Sequence, residues 1–180
     1  MIIRDLHTYY INKNITYNEA EQLLYSLNRD KRFELFIALY DATLKNNLIV
    51  AFEVFREAYC ASDNIYSQII SSKISFNLKE FLNLLQTVKI DFYSLMREEE
   101  KKYFDNLPNS FNAYRGMNEL EKLGNNHGIS WSLSKEEAEN YIYFDKNKVQ
   151  KGGLANKQIY KKDVLTIFSV HGKMEIIYII

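Results

Sequence analysis

The chain has 180 residues, 47% of them hydrophobic, and its 23 basic and 23 acidic side chains cancel. That length and apolar content suit one compact unit, or two small subdomains sharing a core, and exclude long disorder. Zero net charge removes any overall electrostatic drive toward nucleic acid or an anionic membrane.

The single cysteine, Cys60, excludes an internal disulfide, and apolar runs such as NNLIVAFEVF break off well short of the roughly 20 residues a membrane-spanning helix needs. No basic-then-apolar leader opens the sequence. The expectation is a cytoplasmic protein of a reducing compartment with no membrane association. All six glycines (Gly116, Gly124, Gly128, Gly152, Gly153, Gly172) and the one proline, Pro108, fall after residue 107. Backbone punctuation so uneven predicts an α+β chain: a helical part over 1–107 and a β-rich part over 108–180, packed as one unit.

In chain order, Thr16 and Glu19 form a capping-box pattern that predicts a helix over 17–28. Asp30 is placed to cap KRFELFIALYDATLK, with Phe33, Phe36, Ile37, Tyr40 and Leu44 on one apolar face. Asn47 or Asn46 opens LIVAFEVFREAYC, whose apolar residues spread around the helix and predict the centre of the bundle. Ser62 or Asp63 caps a short helix, NIYSQIISS. From Asn77, the positions Phe81, Leu84, Leu85, Val88, Phe92, Leu95 and Met96 keep helical spacing, which predicts one helix until Pro108 stops it. The aromatic and Met residues at this spacing read as core. The charge run Arg97 to Lys102 reads as a solvated face, with Glu98 and Lys102 an i, i+4 pair.

After Pro108 the segments shorten. SFNAYRGM predicts a strand, LGNNHG a loop and ISWSL a second strand, after which Ser134 and Glu137 cap the helix KEEAENYIYF. Gly152 and Gly153 mark a turn, and LANKQIY, KKDVLTIFSV and HGKMEIIYII supply further strands.

Polar residues inside these apolar strands are the candidate site: Arg115, Ser130, Ser132 and Glu175. A charge in such a strand must be paired or aimed at a cleft, because desolvating it alone costs several kcal/mol. One solution pairs Arg115 with Glu175 across the sheet. The other gives each a task. An Arg fork suits a phosphate or pyrophosphate, and Gly116 beside it admits close approach to the backbone. A carboxylate such as Glu175 can accept a ribose hydroxyl and stabilise positive charge developing on a sugar ring. The serines, with Trp131 turned to the opposite face, could orient both. His7, His127 and His171 lack metal-ligand spacing, and Cys60 reads as a small buried apolar residue.

AYRG, then SWS, then the Glu of MEIIY, in that order, resemble the aromatic-Arg-Gly, Ser-x-Ser and late-strand Glu elements of the Arg-Ser-Glu class of mono-ADP-ribosyltransferases. The resemblance spans residues 111–180. It implies a split β-sheet fold with NAD as substrate, held in a cleft. Arg115 would hold the phosphates or ribose, Gly116 the nicotinamide amide through its backbone, and Ser130 and Ser132 the ribose and the glutamate. Glu175 would be the catalytic carboxylate, and Tyr141 or Phe144 would stack on nicotinamide. Lys173 stands two before Glu175, where arginine-modifying members carry Glu or Gln, and this argues against arginine as the acceptor. The implied activity is transfer of ADP-ribose to a protein acceptor, in bacterial toxicity or a phage–host conflict. An NAD glycohydrolase and a catalytically silent protein-binding module are the alternatives.

Overall fold

The computed structural model describes residues 3–11, 13–63, 65–117, 119–123, 128–142 and 152–179, in an α+β chain with helices first and strands later. Two compact units divide it, Met1–Ile90 and Asp91–Ile180.

The first unit contains α1 (Ile3–Tyr10), α2 (Tyr17–Tyr25), α3 (Arg32–Ala42), α4 (Leu48–Ala61), α5 (Ile65–Ser71) and α6 (Leu78–Thr87). Helix α1 had no counterpart in the sequence reading; its His7 Nε2 lies 2.8 Å from Asp41 Oδ2 of α3. The capping box at α2 is present, with Glu19 N bonded to Thr16 Oγ1 and the Glu19 carboxylate accepting from Thr16 N. The helix ends at Tyr25 rather than at 28, because Ser26 Oγ donates to the Leu23 carbonyl and Leu27 N bonds Leu24 in a tighter turn.

Helix α3, not α4, is the centre of this unit. Phe33, Leu35, Phe36, Ile37, Ala38, Leu39 and Ala42 are all buried, whereas Ile49 of α4 is exposed. Phe36, Phe55 and Phe81 stack in a chain of ring contacts 5.2–5.6 Å apart. Asp30 does not cap α3. The buried Gln68 of α5 does so instead: its Oε1 accepts from Phe33 N at 2.8 Å and Glu34 N at 3.1 Å, while its Nε2 donates to the Asp63 and Arg29 carbonyls. One amide thus satisfies two orphan donors of a buried helix end.

The single long helix expected from 78 onward is broken. Lys89 adopts φ 57°, and its N–H bonds Gln86 while Ile90 N bonds Leu85. These two bonds are the Schellman termination that usually recruits glycine, so a break without glycine is invisible to a reading based on glycines.

The second unit begins with α7 (Glu98–Asp105), followed by β1 (Ser110–Met117), α8 (Glu119–Leu123), β2 (Ser130–Trp131), α9 (Lys135–Ile142), β3 (Gly153–Tyr160), β4 (Thr166–Val170) and β5 (Lys173–Ile177). Glu98 pairs with Lys101 at 2.9 Å, an i, i+3 pair in place of the expected pairing with Lys102. Helix α7 belongs with the strands because the buried Glu100 carboxylate accepts from both Arg97 N at 2.7 Å and Ser169 N of β4 at 2.9 Å. The division between units therefore falls ahead of the first glycine and Pro108.

Strands β1 and β3 form an antiparallel pair with Ser110 opposite Tyr160 and Met117 opposite Gly153. A three-stranded antiparallel sheet has the order β2-β5-β4. Its β4–β5 hairpin turns through His171 and Gly172, both at positive φ (51° and 76°), as a type I′ turn requires. Phe111, Ala113 and Ile159 from the first sheet share one core with Trp131, Ile167 and Ile176 from the second. No described helix is long and apolar enough to cross a membrane.

Replacing Gln68 with Ala leaves the buried donors of α3 without acceptors, and we expect a loss of about 2 kcal/mol in urea denaturation. Lys89→Gly relieves the left-handed backbone and should raise stability by about 1 kcal/mol in the same measurement.

Candidate active site

The short strand β2 sets the geometry. Ser130 faces Ile177 and Trp131 faces Ile176 across the β2–β5 ladder, so the serines lie on one side and the indole, 2% exposed, enters the core on the other. Beyond β2 the chain leaves β5 and pairs with β1 instead. Ser132 N bonds Tyr114 O, and Tyr114 N bonds Ser132 O, each at 2.8 Å. This bridge joins the two sheets and sets Arg115, the next residue of β1, beside Ser130.

Glu175, in the centre of β5, is only 9% exposed, and each of its carboxylate oxygens has a hydroxyl donor. Ser130 Oγ donates to Oε2, and Tyr141 of α9 donates to Oε1 at 3.1 Å. Burial and then the negative charge of Glu175 push the Tyr141 phenol up to about 12, with the hydrogen bond to Glu175 and the charge of Glu137 adding to the effect and Arg115 opposing it. Yet half of the Tyr141 side chain remains exposed, so the ring stands at the boundary between Glu175 and solvent.

Arg115 does not pair with Glu175. Its Nη1 donates to the Ser130 carbonyl at 2.9 Å, and its Nη2 pairs with Glu121 Oε1 of α8 at 2.5 Å. Its buried Nε has no hydrogen-bond partner among the described residues. Gly128 packs directly on the guanidinium, where any Cβ would collide with Nη2.

The structure therefore brings together Arg115, Ser130, Glu175 and Tyr141. The other two expected site residues make structural contacts with α9. Ser132 Oγ donates to Glu137 Oε2 at 2.9 Å and accepts from Ser134 N at 3.0 Å, so it helps to open α9. Glu137 N does bond Ser134 Oγ at 3.2 Å, as the capping pattern predicts, but the return arm of the box goes to Ser132. Gly116 packs closely against α9: a Cβ there would strike the Ala138 carbonyl oxygen. The glycine serves close helix–strand packing.

Phe144 and His127 lie outside the described residues. Cys60, expected to be buried, is only partly so. Among the described residues no group of three His, Cys, Asp or Glu is arranged to hold a metal ion. Glu121 was not foreseen; its one signal was an acidic residue six positions after Arg115, in the run NELEKL. No family model matches the chain, and no curated protein or solved structure is significantly similar to it.

Gly116→Val should lower the melting temperature by forcing α9 away from β1, and tyrosine fluorescence of the Tyr141 environment should change with it. The raised phenol of Tyr141 favours the fold below the ordinary tyrosine value of about 10, and that share is lost as pH climbs through about 12. In alkaline absorbance titrations, the difference between wild type and Tyr141→Phe isolates this phenol. Glu175→Gln should move its midpoint down, though only in part, since burial is the larger cause.

Proposed function

We propose that the chain transfers ADP-ribose from NAD to a protein acceptor, releasing nicotinamide. The observation that carries this reading is the pair Ser130–Glu175: a carboxylate in the centre of a buried strand, held by a serine of the neighbouring strand, with Arg115 anchored on that same serine's carbonyl. Support also comes from two small sheets that part company at β2, the arrangement expected of a split-sheet ADP-ribosyltransferase-like fold.

Each residue has a task that its chemistry suits. Glu175 would accept a hydrogen bond from the ribose 2′-hydroxyl and place negative charge beside the sugar as positive charge develops there. Ser130 fixes the carboxylate orientation before substrate arrives, so no reorganisation is needed during reaction. The planar fork of Arg115 would bind phosphate oxygens. Tyr141, hydrogen-bonded to Glu175 and half exposed, could stack its ring on nicotinamide. Lys173, which alternates onto the Glu175 side of β5, makes a cationic arginine acceptor unfavourable.

A second reading, a protein-binding module without catalysis, draws on the Arg115–Glu121 ion pair and on the close packing of Gly116 against α9. Calorimetric titration with NAD, nicotinamide release and labelling of a lysate with a tagged NAD analogue separate the readings. Binding, release and label are expected for the wild type, with release falling at least about a hundredfold in Glu175→Gln, the scale of losing one transition-state charge contact. Nicotinamide release without label would assign a glycohydrolase. No NAD binding and no release would leave the binding module.

A further inference from the structure

Arg115 is already occupied by an internal anion. Its Nη2 is paired with Glu121, both side chains are more than four-fifths buried (19% and 14% exposed), and Gly128 lies so close to the guanidinium that a Cβ there would collide with Nη2. Nη1 is committed to the Ser130 backbone, and Nε is buried without a partner among the described residues. Of the five N–H donors of this guanidinium, the Ser130 carbonyl takes one on Nη1 and the Glu121 carboxylate, the anion beside it, takes one on Nη2.

We propose that Glu121 is an affinity-determining residue that competes with an anionic ligand for Arg115. The proposal rests on the reading of Arg115 as a phosphate-binding residue. A carboxylate and a phosphate oxygen seek the same charge-assisted guanidinium N–H groups, and the Glu121 carboxylate already takes one of the two on Nη2. A phosphate entering beside Glu121 would also meet its negative charge in a partly desolvated place, where like charges repel strongly. Helix α8 therefore acts as a built-in competitor. Two consequences follow: the resting site binds anions weakly, and a ligand must carry enough binding energy elsewhere to displace the carboxylate. A dinucleotide, with its ribose and nicotinamide groups, can do so more readily than a free phosphate.

The contact could instead orient Arg115 for its ligand, and the sign of the effect separates the two. Inorganic pyrophosphate and NAD are titrated calorimetrically against the full-length wild type and Glu121→Gln, which keeps the shape and removes the charge. Competition predicts binding of both ligands about tenfold tighter in Glu121→Gln, the scale of one charge-assisted hydrogen bond. The gain should vanish when Arg115→Ala is added. Glu121→Asp, one methylene shorter and still charged, should give a smaller gain and serves if Glu121→Gln fails to fold. Unchanged or weaker pyrophosphate binding in these variants, or none in any of them, overturns the proposal. Failure of the transferase reading is registered separately. Tighter pyrophosphate binding without Glu175-dependent nicotinamide release would uphold the competition and reject the chemistry. Nicotinamide release with no gain in Glu121→Gln would do the reverse.

Discussion

Two backbone hydrogen bonds between Tyr114 and Ser132 determine where everything else in the second unit can stand. They are the point at which a strand of only two residues stops pairing with β5 and turns to β1. Because side chains alternate along a strand, this crossing puts Arg115 and Ser130 next to one another and leaves Glu175 one strand over. A slip of one residue at the bridge would send Trp131 to the polar side and the serines into the core. The buried indole opposes that slip: it joins the apolar cluster that both sheets share, so packing fixes the register on which the polar cluster relies.

Charge inside a small apolar unit is the second constraint. Glu175 and Glu100 are buried and Arg115 is four-fifths so; both carboxylates are met by short-range donors, and Arg115 by the Ser130 carbonyl and Glu121. Glu100 uses backbone N–H groups and so does fixed structural work, tying α7 to β4. Glu175 uses two hydroxyls, from Ser130 and Tyr141, that can exchange partners without breaking the fold. The contrast in donors distinguishes a carboxylate held by the backbone from one held by side chains alone.

Much of this was legible in the sequence because it is local. The capping box of Thr16 and Glu19 was read from residues three positions apart, and helix starts were placed at Asn47 or Asn46 and at Asn77; the box is present, and Asn47 and Asn77 cap their helices. The face of Trp131, opposite the two serines, followed from alternation alone. What escaped was carried by distant or atypical partners. Gln68 caps a helix 35 positions upstream, and nothing near Asp30 signals this. Lys89 ends a helix in a conformation that its side chain disfavours, so no punctuation marks the break. Within the site, strand alternation put the two serines on one face and the family resemblance implied the association of Ser130 with Glu175, whereas Glu121 was not foreseen as the partner of Arg115. Glu121 sits in a five-residue helix whose sequence looks like an ordinary solvated face.

The two serines of the S-W-S step show why spacing alone overstates a site. On the same strand face and two residues apart, they are equivalent by pattern, yet they end in different roles. Ser130 lies where β2 still pairs with β5, and its hydroxyl reaches a carboxylate of that neighbour. Ser132 lies past the crossing, where the nearest unmet needs are the N–H of Ser134 and the carboxylate of Glu137 at the start of α9. Helix α9 draws one serine into its cap, packs against Gly116 and returns Tyr141 to Glu175. A single helix thus contacts two positions of the motif and contributes a residue at a third, so the arrangement around Glu175 depends as much on α9 as on the strands that carry Arg115 and Glu175.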